Sequence, residues 1–140
     1  MAKSQGTPVT LCIDGFAPRQ VDVLDYSFSQ ATDKEGQTVG IPRGGKMKIT
    51  VKAKNNGNCE LFNWMCEKAL MKNGKIVFMR LDDQSNLMKE ISFIGAYCVE
   101  YSEHWEDPRG GASKLTHTET ITITCKDIFN QSVIWNNDWM

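Results

Sequence analysis

Only two histidines occur in the 140 residues, His104 and His117, and no two of the five cysteines are spaced Cys-x-x-Cys. Neither histidine lies near a cysteine in the chain, so the ligand spacing of a structural zinc site is missing. The cysteine count is odd, which argues against a disulfide framework and for reduced, mostly buried thiols. Lys and Arg number 16 against 17 Asp and Glu, a net charge of -1, and no basic block interrupts the mixture. Binding to a phosphate backbone draws on a basic excess, so nucleic acid is not an expected partner. No apolar run reaches the roughly 18 residues of a membrane helix, and no insertion into a bilayer is expected. The stretch Met1 to Pro8 has no apolar h-region, so no signal peptide is expected and any export takes another route. Gly-x-Gly-x-x-Gly, Walker, Gly-x-Ser-x-Gly and His-Glu-x-x-His patterns are all missing. No cofactor and no metal is expected.

What is present is an ordinary globular composition, 41% hydrophobic and 24% charged, which excludes a disordered chain. Area scaling for this length buries about 68% of the unfolded surface, enough for a core without metal or disulfide staples. One domain over residues 1–140 is expected.

The β signals dominate. Val9–Ile13 reads as a strand closed by the turn pair Asp14-Gly15. Arg19 to Ser29 reads as a second, with a shift in apolar register that places a bulge near Leu24-Asp25. Gln30 to Gly45 is long, polar, rich in glycine and without period. It is either a contact arm or a slack connection. From Lys46 to Lys54 the alternation is strict, with Met47, Ile49, Val51 and Ala53 on one face and lysines on the other. A lysine stripe of this kind is a solvated face or a guard against edge pairing. Cys59 to Lys72 is the one convincing helix, with Asn58 as N-cap, Leu61, Trp64, Met65, Lys68 and Ala69 along one stripe, and Asn73-Gly74 as its stop. Trp64 belongs in the core.

Lys75 to Leu81 is apolar on both faces, and Asp82 to Asn86 turns the chain. Leu87 to Ser102 is a long strand with Leu87, Ile91, Phe93, Tyr97, Val99 and Tyr101 on one face and a bend or bulge at Gly95. Glu103 to Ser113 is a loop. Leu115 to Lys126 carries Thr116, Thr118, Thr120, Thr122 and Thr124 on an exposed face, and Val133-Ile134-Trp135 is either a last strand or the start of an irregular tail. Six or seven sequential strands and one helix make a barrel or a sandwich.

Chemistry is thin. Asp82-Asp83 is a weak cation candidate and a better turn. Glu103, His104, Glu106 and Asp107 form the best acid/base cluster, yet no nucleophile or orienting residue stands beside it in sequence. Catalysis is not expected.

Four stretches, in order, resemble one family. They are Tyr26-Ser27-Phe28-Ser29-Gln30-Ala31-Thr32-Asp33 running through Gly36 to Arg43-Gly44-Gly45; Leu61-Phe62-Asn63-Trp64-Met65-Cys66 followed by Asn73-Gly74-Lys75-Ile76-Val77-Phe78; Ala96-Tyr97-Cys98-Val99-Glu100-Tyr101-Ser102-Glu103; and Asn137-Asp138-Trp139. Together they resemble the haemolysin-coregulated protein family, the tube protein of the bacterial type VI secretion system. The resemblance implies a mainly β fold: a small antiparallel β-barrel of two sheets with one flanking α-helix. It also implies homohexameric rings stacked into a hollow tube, with a contractile sheath and a spike as partners and effector proteins as cargo in some members. Assembly would begin in the cytoplasm and export would run through the apparatus. No enzymatic role is implied for the core domain.

A head-to-tail contact closes into a ring when its rotation closes. Under that reading the arm contributes Val39, Ile41, Pro42 and Arg43 to subunit contacts. Trp105, Trp135 and Trp139 sit in irregular segments, where tryptophan either serves interfaces or caps a barrel end. The rival readings are a tail-tube-like protein of a phage-related contractile particle, a monomeric β-barrel binding module, and a small hydrolase using His104 with Glu103 or Glu106.

Overall fold

In the computed structural model, residues 9–53, 56–79, 87–110 and 116–137 are described. Strands β1 (Val9–Ile13), β2 (Arg19–Tyr26) and β3 (Lys46–Lys52) precede the short helix α1 (Glu60–Cys66). Then come β4 (Lys72–Met79), β5 (Leu87–Glu106), β6 (Thr116–Asn130) and β7 (Val133–Asn136). All pairings are antiparallel, in the order β3-β2-β1-β4-β5-β6-β7, and β3 also pairs with β6. That last ladder, Lys46↔Thr124 to Lys52↔Thr118, closes six strands into a barrel. The expected barrel with one flanking helix is the observed architecture.

Two halves are visible within it. β5 and β6 are long enough to serve both. Their residues 97–106 and 116–124 lie beside β3 and β2, while their residues 87–96 and 125–130 lie beside β4, β1 and β7. Between the halves sits a core of Leu11, Ile13, Met47, Ile49, Val51, Ile76, Ile91, Phe93, Ile121, Ile123 and Ile128, all buried. Leu61 and Trp64 plug it from α1, and Trp64 also donates its indole N–H to the Leu70 carbonyl at 2.9 Å. Phe16 meets Trp64 edge-on at 6.1 Å.

Several local expectations need correcting. The β2 bulge lies between Val21 and Val23, not near Leu24-Asp25. The lysine stripe does not guard an edge, because β3 is paired on both sides; it is a solvated face. α1 stops at Cys66, six residues early, and Glu67 is already extended. Asn73-Gly74 is therefore inside β4 rather than a helix stop. Gly74 is there for space: a β-carbon would sit 2.7 Å from both the Phe93 ring and the Cys12 carbonyl oxygen. Gly95, at φ +66°, shifts the inward phase of β5 so that Ala96 is buried while Val99 is exposed; Tyr97 is only half-buried. A second irregularity between Cys98 and Glu100 restores Tyr101 to the inside. All five cysteines are free thiols, but Cys59 and Cys66 are exposed rather than buried. The turn at 82–86 and the Asp82-Asp83 cation reading lie outside the described residues.

Candidate assembly surface

The segment between β2 and β3 is an arm with its own hydrogen bonds. Asp33 begins its turn: its carboxylate accepts the N–H of Glu35 at 2.9 Å and of Gln37 at 3.0 Å. Gly36 supplies the φ of +89° that a side chain would resist. Behind the turn, Val39 N–H bonds to the Ala31 carbonyl at 2.9 Å, and Ser29 and Arg43 exchange two backbone bonds of 2.9 and 2.7 Å. Residues 30–44 are all exposed, with Val39 at 61% and Ile41 at 55%. Two apolar side chains held out in water on a segment ordered by its own ladder have already met part of the entropy cost of binding.

Trp135 fixes the base of the arm. Its ring meets Phe28 edge-on at 5.0 Å, its N–H bonds to the Pro42 carbonyl at 3.3 Å, and its six-membered ring packs closely on Gly45. Phe28 in turn covers Gly44. At this corner β6 exchanges one neighbour for another. Cys125 N–H bonds to the Gly45 carbonyl at 2.7 Å, and Asn137 ties β7 back to β6 through the Lys126 and Cys125 carbonyls.

The structure thus brings Pro42, Arg43 and Trp135 together, with Val39 and Ile41 farther out on the same arm. The Arg43 side chain lines a groove of about 610 Å³ beside Lys46, Lys48, Asp25 and Glu100. Trp105, 57% exposed, lies apart, near the end of β5. Trp139 is outside the described residues.

At the opposite end of β3, about 23 Å away along the strand, a groove of about 540 Å³ opens between α1, β5 and β6. Glu119 and Arg19, both 3% exposed, form a buried ion pair beneath it. Arg19 also donates to the Lys52 carbonyl at 2.9 Å, and Tyr101 donates its hydroxyl to Glu119 at 2.6 Å. Burial, then that bond to Glu119, pushes the Tyr101 phenol well above its ordinary range. Arg19 Nε and Nη1 are buried without a partner. Nothing in the sequence pairs Arg19 with Glu119, which are 100 positions apart; a lone arginine before an alternating strand and a glutamate inside a threonine run were the faint signals.

The acid/base cluster disperses on folding. Glu103 and His104 are neighbours on a strand and so point to opposite faces. Glu103 faces His117 at 2.6 Å, His104 faces Glu106 at 3.2 Å, and all four side chains are more than one-third exposed. Asp107 is held by Arg109, whose guanidinium keeps its carboxyl below the usual range. The arrangement gives exposed histidine–carboxylate contacts and no oriented nucleophile.

Comparison with known proteins gives one consistent result. The family model described as hemolysin coregulated protein Hcp (TssD) matches residues 8–140. No curated protein matches the sequence. Hcp1 from Flavobacterium johnsoniae is 29% identical over 93% of this chain and 99% of that one, with a TM-score of 0.82. A mutant Hcp1 from the E. coli EAEC 042 pathovar is 13% identical over 96% and 100%, at 0.72, and shares the fold. The PVC sheath/tube terminator of an extracellular contractile injection system is 16% identical over 89% and 93%, at 0.57. With nearly its whole length matched by that family model, and the barrel, helix and arm in place, this chain belongs to the hemolysin coregulated protein family.

Proposed function

We propose that the chain is a structural subunit of the inner tube of a type VI secretion system. It forms homohexameric rings that stack into a hollow tube, and a sheath contracts to drive that tube, with its spike, out of the cell. The observation that carries this reading is the exposed, internally bonded arm on a chain of this family. A barrel working alone gains nothing from holding Val39 and Ile41 in water on a rigid extension. Copies set end to end along the strand direction bring the arm of one toward the grooved end of the next. Val39, Ile41, Pro42 and Arg43 are then contacts between copies. Trp105 stands at the far end to meet a second neighbour, and the Trp139 contact is proposed on the sequence alone. The chain is not an enzyme in this reading; its His104 and Glu106 side chains meet in an exposed surface contact. It assembles in the cytoplasm and leaves through the apparatus, with effector proteins carried in the channel.

A second reading has its own support. The fold is shared with the AFP baseplate structure, at a TM-score of 0.52, as well as with the PVC terminator. A tube protein of a phage-related contractile particle fits these as well. Negative-stain micrographs of the purified chain test both: six-fold annuli are expected. A monomer at tens of micromolar by light scattering overturns both in favour of a lone binding module. Co-purification with a membrane-anchored complex from the same cells favours secretion over the free particle.

A further inference from the structure

The grooves at the two ends of β3 differ in charge. The one at the root of the arm is lined by three cations, Arg43, Lys46 and Lys48, against two carboxylates, Asp25 and Glu100. Among the described residues none of the three cations is within ion-pair distance of a carboxylate. The groove at the far end is lined by Glu103 and Glu119 and by neither lysine nor arginine. Arg19 neutralises Glu119 from below. Glu103 is exposed; one of its oxygens meets His117 at 2.6 Å, and the other has no partner among the described residues. In the same lining the Phe62 and Tyr101 rings lie 5.4 Å apart, with Phe62 51% exposed. Glu103 is close enough for its charge to act on the Tyr101 phenol. Exposed aromatic rings beside a carboxylate make a cradle for a guanidinium, which stacks on the ring and forks onto the oxygens.

We infer that the groove between α1, β5 and β6 is the receiving site for Arg43 of a second copy, whose guanidinium stacks on Phe62 and Tyr101 and pairs with Glu103. The inference rests on the tube reading above and adds the site at which one ring grips the next. Arg43 is singled out by elimination. Of the three arginines among the described residues, Arg19 is buried against Glu119 and Arg109 is held by Asp107. Arg43 is exposed and has no carboxylate, and Lys46 and Lys48 in its own groove repel it outward. The two grooves lie about 23 Å apart along β3, so a chain cannot fill its own site. Copies set head to tail bring each basic groove against an acidic one, and that repeat runs on without closing, as a stack requires. Copies set head to head would place Arg43, Lys46 and Lys48 against the same three cations, and like charges across an interface are costly. A lysine at 43 would keep the charge but lose the stacking plane and the fork.

The test reads ring stacking of the full chain by sedimentation velocity and negative-stain micrographs. Arg43→Glu and Glu103→Arg are each expected to weaken the contact about fivefold, a loss that recurs at every subunit of the ring and leaves single rings without stacks. Both positions are exposed, so circular dichroism melts should match the parent chain. If either variant melts early, Arg43→Gln and Glu103→Gln replace the pair, with the same loss of stacks expected. The charge exchange, Arg43→Glu with Glu103→Arg, is expected to bring stacks back. Arg43→Lys should fall between the parent and Arg43→Glu, and parent stacks should shorten as sodium chloride rises from about 0.05 to about 0.5 M. Unchanged stacks in either single variant, or a double variant no better than the singles, overturn the site. Loss of the rings themselves in Arg43→Glu moves the contact inside the ring and overturns it as well. Rings that ignore these changes sink the site alone, whereas a parent chain without rings sinks the tube reading and the site with it.

Discussion

Trp135 lies so close over Gly45 that a β-carbon on Gly45 would stand 2.7 Å from the indole ring. Gly45 is also at φ +86°, a conformation that side chains resist. The last strand and the root of the arm are therefore one packed unit, joined further by Phe28 and by the bond to the Pro42 carbonyl.

Trp135→Ala is expected to loosen the arm more than the barrel. Amide hydrogen exchange across residues 28–45 should speed up, with a stability loss of only about 1–3 kcal/mol. Gly45→Ala should act in the same direction. Unchanged exchange in the arm would place its rigidity entirely in its own ladder.

Deleting Gln37 to Pro42 removes exposed residues and the rungs Thr32↔Thr38 and Val39 to Ala31, but no core side chain. The variant should melt as a folded barrel by circular dichroism and sediment as smaller species than the parent chain. Rings surviving unchanged would take the arm out of the contacts.

Arg19→Met strands a buried carboxylate at Glu119, and Glu119→Gln strands a buried guanidinium. Each single change is expected to cost about 3–5 kcal/mol in urea unfolding. The double change Arg19→Met with Glu119→Leu should recover much of that loss, because an apolar pair carries no desolvation penalty. Additive losses would show that the two groups do not act as a pair.

Burial pushes the Cys125 thiol from 9.0 up to about 12, and the Cys98 thiol to about 11. The folded chain thus keeps these protons after the unfolded chain begins to release them. Stability from this source is full below pH 9 and is lost as pH rises toward about 12. Urea midpoints should fall over that window, and the fall should be shallower in Cys125→Ala. An equal slope would assign the alkaline loss to other groups. A thiol reagent at neutral pH should modify Cys59 and Cys66 quickly and Cys125 only after unfolding.

Much of the barrel was legible because a half-buried strand leaves a period of two. Met47, Ile49 and Val51 are spaced that way in the chain, and all three are buried. What failed did so where one glycine serves two possible ends. Asn73-Gly74 carries the signature of a helix stop, yet Gly74 is required by the Phe93 ring packed against it, a contact between distant segments that no local pattern records. Gly95 misled in the opposite way. Its positive φ carries β5 across without ending it, so the inward phase moves by one residue and Tyr97 and Val99 leave the buried face. The arm was visible as an aperiodic stretch, and Val39 and Ile41 stood out in it as apolar residues in polar company. That Trp135 closes on its base was not, because the partners come from either end of the fold.

β5 and β6 each belong to both halves of the barrel. Pulling the two walls of the subunit apart would therefore mean stretching two continuous backbones and tearing their ladder rung by rung, rather than sliding one layer of side chains off another. A load applied to one half would pass to the other through covalent chain, which makes the barrel a stiff unit that resists shear between its two walls.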